Sequence, residues 1–118
     1  MNKNKTVLIV EDDEFLQESW RRSTPKNIKL LQAYTCSEAQ EIFDKNKDII
    51  DIIAFDWNIK SEATTTIELI KRIKQKFGWV IIAMSNDDYL RDEQMEVGCN
   101  LNLDDKSELF NVIYNLKY

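Results

Sequence analysis

Apolar residues gather in short runs along this chain, and three of the runs break off into acids or small polar residues. Thr6-Val7-Leu8-Ile9-Val10 gives way to Glu11-Asp12-Asp13-Glu14, the run from Ile49 to Phe55 to Asp56, and Trp79-Val80-Ile81-Ile82-Ala83-Met84 to Ser85-Asn86-Asp87-Asp88. Runs this short and this rich in β-branched residues predict strands covered on both faces, as in a parallel sheet. Ile28 to Tyr34 has the mixed alternation of an edge strand, and Cys99 to Leu103 is a weakly marked fifth.

The segments between carry helical spacing. A helix is expected from Asp13 to about Arg22, with Phe15, Leu16 and Ser19 or Trp20 facing inward, ended by Thr24-Pro25 because the residue before proline leaves the helical region. Thr35 and Ser37 offer caps for the next helix. Ser37 and Gln40 stand at capping-box spacing, and Ala39, Ile42 and Phe43 form the apolar stripe. Ile67, Ile70, Ile73 and Phe77 mark a third helix up to Gly78, and Tyr89 to Val97 a fourth that closes at Gly98. Asp105 and Glu108 have the spacing to open a last one, with Leu109, Val112, Ile113 and Leu116 inward. The polar stretch from Ile59 to Thr66 predicts a loop. Strand and helix thus alternate five times, which implies an α/β fold: a doubly wound parallel sheet with helices on both faces.

A length of 118 residues fits a single domain over 1–118 with one core. No apolar run approaches the roughly 20 residues a membrane span needs, and the first apolar run is too short for a signal peptide. Cys36 and Cys99 lack any metal-ligand or CxxC spacing, so they read as buried or idle thiols in a reducing compartment, which places the chain in the cytoplasm. A net charge of −5 argues against binding nucleic acid directly. The absence of histidine leaves carboxylates, hydroxyls and lysines for any chemistry.

Asp56, alone, could simply open a turn. Its position at the carboxyl end of a buried strand is also where ligands bind in open α/β sheets. If the first and third strands are neighbours, Glu11, Asp12 and Asp56 converge. Two unit charges 4 Å apart repel by about 4 kcal/mol at an effective dielectric of about 20, so such a cluster asks for a cation. Oxygen donors without histidine or cysteine select Mg²⁺ or a similar hard ion. Its open positions suit a phosphoryl group, with Asp56 as nucleophile, since carboxylates form acyl phosphates.

These segments resemble the receiver domain of bacterial two-component response regulators. Val7 to Asp13 resembles its first strand and acidic pair, Phe55-Asp56-Trp57-Asn58 its phosphoacceptor segment, and Ile81 to Ser85 its fourth strand and hydroxyl residue. The resemblance implies a flavodoxin-like (βα)5 sheet of order 2-1-3-4-5, an order the family is known for. It further implies Asp56 as phosphoacceptor, Mg²⁺ on Glu11, Asp12, Asp56 and the Asn58 backbone carbonyl, and Ser85 bonding a phosphoryl oxygen. The implied partners are a histidine kinase or phosphotransfer protein and a downstream effector protein, with dimerisation left open. No enzymatic activity is implied beyond the domain's own phosphorylation and dephosphorylation.

Three positions depart from the family. Asp105 stands where the phosphate-binding lysine is usual; Lys106 follows one residue late and, as the first residue of a capped helix, is expected to point into solvent unless a bulge or loop shift redirects it. Asn102 replaces an aromatic residue that swings inward on activation, and the loop after Asn58 is longer and lacks the usual proline and glycine. These departures motivate an alternative: a degenerate receiver acting as a phosphorylation-independent interaction module. An aspartyl phosphatase is a weaker option, because Asn58 stands where such enzymes have a second aspartate.

Overall fold

A computed structural model of the chain describes residues 4–56, 66–78, 80–85 and 87–116. Five strands alternate with helices: β1 (Lys5–Val10), α1 (Glu14–Ser23), β2 (Ile28–Ala33), α2 (Cys36–Asn46), β3 (Ile52–Phe55), α3 (Thr66–Lys74), β4 (Val80–Ala83), α4 (Asp88–Glu96), β5 (Leu101–Asn102), and a 3₁₀ turn (Lys106–Glu108) running into α5 (Leu109–Asn115). All neighbouring strands are parallel and their order is β2-β1-β3-β4-β5. The parallel sheet is the one the hydrophobic pattern predicts, and its order is the flavodoxin-like one that the resemblance implies.

Side chains alternate across a strand, so each interior run feeds two cores. Leu8, Val10, Ile53, Phe55 and Ile81 pack with Phe43 of α2 and Leu69, Ile70 and Ile73 of α3 on one face. Val7, Ile9, Ile52 and Ala54 pack with Trp20 of α1 and Leu109 and Ile113 of α5 on the other. Because both faces are dry, the runs carry apolar residues without polar alternation.

Several details differ from the expectations. Phe15 is not inward but 82 % exposed. Asp13 is the N-cap, accepting from the Leu16 N–H, and the helix phase this sets buries Trp20, as expected, together with Gln17 in place of Phe15. The buried Gln17 amide donates to the carbonyls of Ile9, Glu11 and Ala33, so its own polar nitrogen is satisfied at the strand ends.

The cap of α2 is Thr35, not Ser37: its hydroxyl accepts from Glu38 N–H at 3.0 Å, while the Glu38 carboxylate accepts from Tyr34 N–H at 2.7 Å. β3 begins at Ile52 because residues 47–49 form the turn that ends α2, which leaves Ile49 exposed. α3 stops at Lys74 rather than Phe77; Phe77 folds back so that its ring meets Phe43 edge-on, with centroids 5.9 Å apart. Gly98 has φ +135°, a conformation open to glycine, as the expected close of α4 requires. Trp79 and residues 57–65 lie outside the described residues.

Candidate functional site

The β1–β3 pairing carries the acids together. Asp56 N–H continues the ladder by donating to the Val10 carbonyl at 2.9 Å, and Glu11 N–H donates to Ala33 at 3.0 Å. Both residues therefore hang from the ends of buried strands, where backbone hydrogen bonds fix their direction. Glu11 is 1 % exposed and Asp56 6 %, while Asp12 is half-buried. One carboxylate oxygen from each of Glu11, Asp12 and Asp56 lies within 4.8 Å of the others.

Lys106 completes the cluster, against the expectation that it faces water. It is the first residue of the 3₁₀ turn that Asp105 caps, but its side chain runs back across the sheet end and only 8 % of the residue is exposed. Its Nζ donates to Glu11 Oε1 at 2.6 Å and to Asp56 Oδ1 at 3.0 Å. No bulge is needed. Leu103 N–H still donates to the Ala83 carbonyl, so the chain stays on the sheet past β5 before it turns, and the two buried carboxylates supply the electrostatic reason for the lysine to turn inward.

Burial raises the Glu11 carboxyl to about 7 and the Asp56 charge adds to this, against the pull of Lys106. Burial works against the Lys106 charge, but the bonds to Glu11 and Asp56 outweigh it and hold the ammonium above its ordinary value.

Ser85 follows β4 on the same edge and is buried. Its hydroxyl accepts from Asp87 N–H at 3.2 Å, and among the described residues no acceptor takes the hydroxyl proton. Glu11, Asp12, Asp13, Asp56, Ser85 and Lys106 line one cleft of about 440 Å³, together with Leu16, Asp87 and Leu90. Of the expected site residues, the structure thus brings Glu11, Asp12, Asp56 and Ser85 together, with Lys106 joining them against expectation; Asn58 lies outside the described residues.

The donor set fits a divalent cation. Three carboxylates set against one ammonium leave two negative charges when all are ionised, and every side-chain donor is a hard oxygen.

Arg91 and Gln94, both buried on α4, were not singled out by the sequence. Gln94 donates to the Phe55 carbonyl at 3.2 Å, one residue before Asp56. The signal was there in negative form: α4 lacks an apolar stripe, so something polar must face the sheet.

No protein-family model and no curated protein matches the sequence. Solved structures do. A response regulator receiver domain protein from Clostridium thermocellum superposes with a TM-score of 0.72 at 19 % identity, covering 92 % of this chain and 94 % of that one. The non-phosphorylated HemR receiver domain from Leptospira biflexa gives 0.76 at 21 %, covering 97 % of each chain. The CheX–CheY complex of Borrelia burgdorferi, determined with BeF3 and magnesium, gives 0.77 at 18 %, covering 92 % and 86 %. This chain has the fold of the response-regulator receiver domains.

Proposed function

We propose that this domain is a phosphoacceptor switch in a two-component phosphorelay. The reading rests chiefly on one observation: three carboxylates from two adjacent strand ends and a buried lysine share a single cleft with the Ser85 hydroxyl. An Asp56 carboxylate oxygen attacks the phosphorus of a phosphohistidine on a partner kinase or phosphotransfer protein. The O–P bond forms as the P–N bond breaks, and the imidazole leaves with its electron pair and takes a proton.

Lys106, already on Asp56 Oδ1, offers positive charge to the transferred group. The Ser85 hydroxyl can donate to one of its oxygens while keeping Asp87 N–H as its own donor. Glu11, Asp12 and Asp56 would hold Mg²⁺, which when bound supplies neutralisation of the phosphoryl oxygens. The product is an acyl phosphate on the domain itself, so the chain is a substrate and a switch rather than an enzyme acting on others. Its output is a change in binding to an effector protein.

Asn102, exposed and polar at the end of β5, favours the alternative of a degenerate receiver that binds partners without phosphorylation. Beryllofluoride with Mg²⁺ separates the two. A phosphoacceptor domain binds it and shifts NMR peaks around Ser85 and Lys106; unchanged spectra at millimolar ligand favour the degenerate module.

A further inference from the structure

Arg91 carries the most unusual contacts outside the acidic cluster. Its residue is 5 % exposed, yet its one carboxylate partner among the described residues, Asp88, has a side chain 87 % exposed. A guanidinium taken out of water without a buried counter-ion must be held by other acceptors. Two are in place: Nη1 donates to the Ser85 carbonyl at 2.8 Å and Nε to Asn102 Oδ1 at 2.5 Å. Three sides of the planar group thus reach the second residue after β4, the last residue of β5 and the first turn of α4.

The geometry points to Arg91 as a positioning residue for Ser85, braced by Asn102, so that the phosphoryl-binding hydroxyl is set by a polar clamp between α4 and β5. The inference rests on the phosphoacceptor reading. Ser85 is gripped from both ends: its hydroxyl accepts from Asp87 N–H, and its carbonyl accepts from Arg91. Asp87 in turn caps α4, accepting from Tyr89 and Leu90 N–H, and its own carbonyl accepts from Arg91 N–H. Hydrogen bonds therefore link the helix start to the hydroxyl, and the Nε bond ties both to β5. Lysine at this position keeps a charge but loses the fork, because an ammonium cannot span acceptors lying in three directions.

The test is the affinity of the full chain for beryllofluoride at saturating Mg²⁺, read by NMR or calorimetry, for wild type, S85A, R91K and S85A/R91K. R91K is expected to weaken binding about tenfold, close to the effect of S85A, since each costs one charge-assisted or directed hydrogen bond. The double variant should be no weaker than S85A, because Arg91 acts through that hydroxyl. Mg²⁺ affinity without beryllofluoride should not change in R91K, which a general loosening of the fold would not allow. N102A, at an exposed site, should weaken beryllofluoride binding in the same direction and guards against R91K failing to fold. Wild-type affinity in R91K and N102A, or a double variant about a hundredfold weaker than wild type, overturns the clamp while leaving the phosphoacceptor reading intact. A wild-type protein that ignores beryllofluoride overturns both.

Discussion

Replacing Lys106 with methionine removes the cation from the acidic cluster while keeping most of the unbranched stem. Each contact, at 2.6 and 3.0 Å from Nζ, represents about 5–6 kcal/mol of attraction at an effective dielectric of about 20. Desolvation of the ammonium offsets much of that, and removing one partner of a buried pair costs about 3–5 kcal/mol. At pH 8 without metal we expect K106M to lose about 3 kcal/mol of unfolding free energy in a urea titration. The loss depends on pH in a defined sense. Glu11 has its folded pKa raised to about 7 from 4.5, so its ionisation works against the folded state, progressively from about pH 4.5 up to about 7. Taking the ammonium away raises that pKa further and extends the penalty to higher pH. At pH 5.5 both proteins hold Glu11 largely protonated and the gap should narrow. At pH 8, Mg²⁺ at a hundredfold excess over the variant's Kd should stabilise the variant by about 2.7 kcal/mol, and the wild type less at the same concentration because its ammonium competes for the carboxylates. A gap below about 1 kcal/mol at pH 8, or one equal at pH 5.5 and 8, would refute Lys106 as the counter-ion of this cluster.

Magnesium affinity should rise with pH until Glu11 is ionised, near pH 7, and then level off, with a proton released on binding below that pH; calorimetry in buffers of different ionisation enthalpy measures both. D12N should weaken that affinity at least several-fold, whereas D13N, on the α1 cap, should act mainly on stability. T35A should cost about 1 kcal/mol in a chemical denaturation midpoint and S37A clearly less, because the cap bond of α2 belongs to Thr35. F43A should cost about 3–5 kcal/mol, since its ring is fully buried and packs against Phe77.

The sheet was legible because its strands are dry on both faces. A run such as Val7 to Val10 has no competing helical stripe, and its abrupt end in Glu11 and Asp12 marks the sheet edge where the site forms. The place of Asp56 at the end of such a run was legible for the same reason, while the phosphoacceptor role assigned to it came from the resemblance. Lys106 was not, because its direction depends on where the chain leaves β5 and on the tight turn that follows, neither of which leaves a periodic signal. Periodicity also follows apolar residues only. It therefore overlooked Gln17, Arg91 and Gln94, which are buried because each donates to backbone carbonyls near strand ends. It turned Phe15 inward although the capping geometry at Asp13 turns it out. Where burial is driven by hydrogen bonds, the pattern of hydrophobic positions is silent.

The proposed switch requires phosphoryl attachment at Asp56. Incubation with acetyl phosphate and Mg²⁺, reduction of any acyl phosphate by borohydride to the alcohol, and peptide mass spectrometry would locate the modification directly. The prediction is a single reduced side chain at Asp56, dependent on Mg²⁺ and lost in D56N. An unmodified Asp56, or equal labelling of D56N at another residue, would contradict it.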